Sequence, residues 1–148
     1  MSKRITVLGA GMVGSVIAED LHDSGFAVSI ADVSNTALSR IAERSQGKIE
    51  SHAIDCSDAS AIQSCIKDAD VVVGALPSWL GLNALKTVIE SKKPYCDISF
   101  MAEDPRELHD LACAHGVPCV VDFGVADIQE IYGTISTGKE ANVYHSVG

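Results

Sequence analysis

Gly9-Ala10-Gly11-Met12-Val13-Gly14 sets three glycines in a G-x-G-x-x-G pattern. The chemistry that such spacing serves is the holding of a pyrophosphate. Gly9 permits a tight turn, Gly11 lets the backbone approach the phosphates with no Cβ in the way, and Gly14 lets a helix pack close to the strand before it. A helix that opens at Met12 and Val13 presents free N–H groups and partial positive charge to the anion. The pattern alone is weak. Its context gives it force, because the apolar run Ile5 to Leu8 precedes it and helical spacing follows it. Asp32 closes the next apolar run, where a carboxylate accepts hydrogen bonds from the adenosine ribose hydroxyls. Its charge repels a 2′-phosphate, so the expected ligand is NAD, with NADP less favoured.

Further candidates sit at the ends of later strands. Asp55 is expected near the adenine, with capping of the next helix as the alternative. Ala75-Leu76-Pro77 follows the fourth strand, and its backbone is expected to line the nicotinamide-ribose side. Asp97 and Ser99 end the fifth strand and are expected to face the same crevice, in a substrate-side or a structural role. Trp79 is expected in the loop after Pro77, shielding the cofactor or packing on a second domain. The histidines His22, His52, His109, His115 and His145 show no metal-ligand spacing, so no metal is expected. No residue stands out as catalytic.

The elements that must position these groups follow from periodicity. Strands are expected at Ile5 to Leu8, Ala27 to Ala31, Ile49 to Ile54, Val71 to Val73, Tyr95 to Ile98 and Pro118 to Asp122. Helices are expected from Met12 to Asp23, from a Ser34 cap to Arg44, after a Ser57 cap through Ile66, around Leu82 to Ile89, and from Asp104-Pro105 to His115. Strict alternation of strand and helix implies an α/β fold: a Rossmann-type, doubly wound parallel sheet of about six strands in the order 3-2-1-4-5-6. Residues 1–126 form this unit, and 127–148 read as a polar tail, either an extra hairpin or a fusion scar.

Composition agrees. The chain has 148 residues, 47% hydrophobic and only 5% aromatic. That suits aliphatic strands buried on both faces. A formal net charge of −9 disfavours nucleic acid and anionic membrane as partners. The five cysteines show no C-x-x-C spacing, so reduced thiols in a cytoplasmic protein are expected. No signal peptide or membrane span is visible in the sequence.

Three longer segments are more selective than the glycine turn. They are Ala75-Leu76-Pro77-Ser78-Trp79-Leu80-Gly81-Leu82-Asn83, the run Tyr95-Cys96-Asp97-Ile98-Ser99-Phe100-Met101-Ala102-Glu103-Asp104-Pro105, and Val121-Asp122-Phe123-Gly124-Val125-Ala126. Through them the chain resembles the saccharopine dehydrogenase family over about residues 3 to 126, in particular its lysine 6-dehydrogenase-like members. The resemblance implies NAD(P)-dependent hydride transfer at an amine-bearing carbon of a lysine-like or saccharopine-like amino acid. It also implies cofactor contacts from Gly9 to Gly14, at Asp32, near Asp55, at Ala75 to Pro77, and near Asp97 and Ser99. Family members continue with a second domain that carries much of the substrate pocket. Here Asp127 follows Ala126, so the substrate domain is expected to be missing and turnover by this chain alone is not expected. A non-catalytic NAD(H)-sensing module is the alternative. Apolar surface left without its second domain would favour a homodimer. Residues 131–145 resemble the nucleotide-binding loop of RIO-type atypical kinases, but a kinase's catalytic loop and metal-binding motif do not accompany them, so kinase activity is not expected.

Overall fold

The computed structural model describes residues 2–123, 134–137 and 142–144. Six strands form one sheet in the order β3-β2-β1-β4-β5-β6, every pair parallel. They are β1 (Arg4–Leu8), β2 (Ala27–Asp32), β3 (Glu50–Ala53), β4 (Val71–Gly74), β5 (Tyr95–Met101) and β6 (Cys119–Phe123). The connecting helices are α1 (Met12–Asp23), α2 (Asn35–Arg44), α3 (Ala59–Ile66), α4 (Ser78–Glu90) and α5 (His109–His115). This is the Rossmann-type order expected from the sequence.

Neighbouring residues of β1 serve opposite faces. Val7 packs with Ala18, Ile30, Leu38 and Ile41 on the α1 and α2 side. Leu8 packs with Ile62, Ile66, Leu85 and Val88 on the α3 and α4 side. A strand buried on both faces must be apolar at consecutive positions, and β1 and β4 are. Because β2 and β4 flank β1, the chain leaves β1 in one direction and later returns on its other side. The crevice at the carboxyl ends of β1 and β4 is therefore a topological switch point.

Local chemistry sets the helix ends. Ser34 caps α2 by accepting from the Ala37 N–H at 3.2 Å. Gly116, at φ 64°, closes α5 in the left-handed region. Three expectations shift. Asp58, not Ser57, caps α3, accepting from the Ser60 N–H at 2.8 Å. Pro77 precedes α4 directly, so the helix begins at Ser78 and carries Trp79 in its first turn, 74% exposed, rather than in a loop. Asp104 caps a 3₁₀ turn, Pro105–Leu108, and α5 follows that turn.

Thr134–Thr137 (β7) and Asn142–Tyr144 (β8) pair antiparallel. The boundary expected at Ala126, and most of 131–145, lie outside the described residues. Among the described residues no helix is long and apolar enough to cross a membrane.

Candidate functional site

Parallel strands bring their carboxyl ends to one edge of the sheet. Gly9 to Gly14, Asp32, Asp55 and Ala75 to Pro77 all follow such ends, so the topology gathers them along one edge.

The glycine turn is built from close backbone approach. Gly9 has φ 103°, and its N–H donates to the Ala31 carbonyl at 2.7 Å. A Cβ there would lie 2.3 Å from the Ala75 carbonyl oxygen. At Gly14 a Cβ would lie 1.9 Å from the Gly9 carbonyl oxygen. Gly11 differs: among the described residues nothing stands within 4 Å of its Cβ position, and its φ of −69° suits any residue. Gly11 is the N-cap of α1, and among the described residues no side chain caps that helix. Its first-turn amides therefore remain available to an anion. Met12 is 90% exposed and Val13 is exposed beside it, so the turn opens on solvent as a shelf.

Asp32 braces this turn. One carboxylate oxygen accepts from the Ala10 N–H at 2.7 Å, the other from the Ser34 N–H at 2.7 Å. Its backbone carbonyl accepts from the Ile54 N–H at 3.1 Å, tying β2 to the chain leading into Asp55. Asp55 is exposed and accepts from both the Ser57 N–H (2.8 Å) and the Ser57 hydroxyl (2.7 Å). Those bonds hold its carboxyl below the usual range. It thus shapes the turn before α3 rather than capping that helix.

On the other side, the Ala75 N–H donates to the Leu8 carbonyl at 2.8 Å, which ties the loop after β4 to the end of β1. The Leu76 N–H donates to Ser99 Oγ at 3.2 Å, and Ser99 Oγ donates to Asp97 Oδ1 at 2.5 Å. Asp97 and Ser99 are only 2% and 6% exposed. They lie behind the loop, not on its surface, and reach the crevice through the Leu76 amide.

Two residues of this site escape a reading for motifs. Gly74 is needed because a Cβ there would lie 2.1 Å from the Tyr95 hydroxyl and 2.2 Å from Asp97 Oδ1. Tyr95 is buried and donates to Asp97 Oδ1 at 3.4 Å. The available signal was the glycine ending an all-valine strand, which marks a close approach. Phe100, at φ 50°, is an aromatic residue in the left-handed region within the irregular end of β5. Such strain concentrates at functional sites.

A cavity of about 900 Å³ lies elsewhere. Arg4, Thr6, Ser29 and Lys67 place it at the amino ends of β1 and β2, away from the glycine turn. All five cysteines are free. Burial pushes the Cys56 thiol up to about 12 and that of Cys65 to about 11, which leaves both protonated and unreactive.

A family model described as the saccharopine dehydrogenase NADP binding domain matches residues 5–120. Saccharopine dehydrogenase [NADP(+), L-glutamate-forming] of Saccharomyces cerevisiae is 26% identical over 128 residues, which cover 84% of this chain and 28% of the relative. The solved apo form of that yeast enzyme superposes with a TM-score of 0.71 at 24% identity, covering 82% of this chain and 27% of its own. The TrkA-N domain of the inner membrane protein ybaL from Escherichia coli superposes with a TM-score of 0.60 at 17% identity, covering 82% of this chain and 88% of its own. At these identities the superpositions show the fold. The chain spans little more than a quarter of the length of the yeast relative. The resemblance of residues 131–145 to a kinase loop finds no support among these matches.

Proposed function

The chain belongs to the saccharopine dehydrogenase NADP binding domain family, and from that premise we propose that it is the nucleotide-binding domain of an oxidoreductase that moves hydride at an amine-bearing carbon of an amino acid. The observation that carries this reading is the uncapped start of α1 beside Gly11, open to solvent and flanked by Asp32 on one side and the Ala75–Pro77 loop on the other. Pyrophosphate takes the amides after Gly11, adenosine ribose lies toward Asp32, adenine toward Asp55, and nicotinamide along Ala75, Leu76 and Pro77. Met12 and Val13 supply backbone donors, while Asp97 and Ser99 hold the loop from behind. Substrate contacts and the exclusion of water belong to parts of the assembly beyond this domain. The five free thiols suit a reducing, cytoplasmic setting.

The family and its yeast relative carry NADP in their names. The local chemistry favours NAD. A 2′-phosphate at this ribose would meet the Asp32 carboxylate, which already stands fixed by two backbone N–H groups. Asp32→Ala is therefore expected to narrow the preference for NAD over NADP by about tenfold, the scale of one charge-assisted hydrogen bond. Calorimetric titration of the wild-type and variant chains with both nucleotides measures it. An unmoved ratio, or tighter NADP than NAD binding by the wild type, removes Asp32 from the ribose role. The same titration with ATP is expected to show no saturable binding.

A further inference from the structure

Strand β5 buries Asp97 and Ser99 between Tyr95 and Met101 and exposes two apolar residues. Tyr95, Asp97 and Ser99 point inward, while Ile98 and Phe100 are exposed. This inverts the usual pattern, and such local violations mark sites chosen for function rather than stability. Asp97 Oδ1 accepts from the Ser99 hydroxyl (2.5 Å), the Ser99 N–H (3.2 Å) and the Tyr95 phenol (3.4 Å). Asp97 Oδ2 is buried and has no hydrogen-bond partner among the described residues. Among the described residues, no lysine, arginine or histidine forms an ion pair with it.

The groups facing Asp97 make its charge harder to keep. Asp122 on β6 repels it. From β5 it meets the Tyr95 phenol, which itself faces the Cys56 and Cys119 thiols. Gly74 of β4 brings no charge. Burial raises the Asp97 carboxyl above its ordinary range, and the bonds from Ser99 and Tyr95 work against that rise. A buried carboxylate with one bare oxygen is costly unless a counter-charge arrives. Only the Ser99 hydroxyl separates Asp97 from the Leu76 N–H, on the loop along which the nicotinamide is placed above.

We propose that Asp97 sets the redox preference of the nucleotide site, its carboxylate favouring the cationic ring of NAD⁺ over the neutral ring of NADH. The proposal rests on the nucleotide reading above. By linkage, a site that favours the cation makes its bound NADH a stronger hydride donor. Asp97→Asn keeps an oxygen for Ser99 and removes the charge. Dissociation constants of NAD⁺ and NADH are measured for both chains across pH. The expected result is a fall of about tenfold in NAD⁺ affinity relative to NADH in the variant, the scale of one partly buried charge. In the wild type the preference for NAD⁺ fades as pH falls through the raised pKa of Asp97, because protonation removes the charge, while the variant stays flat. Ser99→Ala keeps the charge and is expected to weaken both forms together. If Asp97→Asn does not fold, the wild-type pH series decides alone. Binding of both forms with a ratio that neither the variant nor pH moves overturns this proposal and leaves the nucleotide reading standing. Binding of neither form overturns both.

Discussion

Gly11→Val is expected to lower dinucleotide affinity by a hundredfold or more, roughly 3 kcal/mol, in a chain that folds and melts as the wild type does. The two halves of that expectation have separate causes. At φ −69° the backbone accepts any side chain, and a Cβ at Gly11 meets no atom of the described residues within 4 Å. The fold therefore does not need this glycine. A ligand on the first turn of α1 does, because valine methyl groups would occupy the space through which the pyrophosphate reaches the amides. Titration calorimetry beside thermal melting reads both halves. Full affinity in a folded Gly11→Val chain would remove the pyrophosphate from this turn.

Gly14→Ala is expected to do the opposite. Three positions further on, a Cβ would stand 1.9 Å from the Gly9 carbonyl oxygen and 3.2 Å from Ala75 Cβ. A backbone carbonyl in a hydrogen-bonded turn cannot swing aside as a flexible side chain would. Helix α1 must lift from β1, and the apolar contacts of Ala18 with Val7 and Ile30 loosen with it. Overpacking of this kind costs about 3 kcal/mol, which lowers the melting midpoint of a domain this size by roughly 10 °C. Circular dichroism on heating measures it. An unchanged midpoint would mean that the close helix–strand packing assigned to Gly14 is wrong. The pair is expected to separate two duties within one motif, Gly14 serving the fold and Gly11 the proposed ligand.

Much of this architecture was legible because each cue acts locally. Val71-Val72-Val73 is apolar at successive positions, as a doubly covered strand requires, and the strand order follows from right-handed crossovers and the phosphate-binding glycine turn. The start of α4 was less legible. Its periodic residues become clear at Leu82, whereas the helix begins at Ser78, directly after the proline that fixes the chain's entry. Strand β5 misled in a more informative way. Asp97 and Ser99 are expected from the sequence to face the crevice, yet the pleat buries them beside Tyr95 and leaves Ile98 and Phe100 exposed. No propensity signals that inversion. It shows only when Gly74, Tyr95 and Ser99 are seen closing around the carboxylate, with the Leu76 amide bound to the Ser99 hydroxyl. The nucleotide's 2′ position is a similar case: Asp32 at the end of β2 leads the sequence to an expectation of NAD, while the family model and the yeast relative carry NADP in their names.

The central claim is that a dinucleotide lies across the carboxyl edge of this sheet, over the glycine turn. Backbone amide NMR of the ¹⁵N-labelled chain, titrated with NAD⁺, tests it most directly. Saturable shifts are expected at Ala10 to Gly14, at Asp32 and Ser34, and at Ala75 and Leu76. Shifts confined to Arg4, Ser29 and Lys67, around the cavity at the opposite edge, or no shifts at millimolar nucleotide, would contradict it.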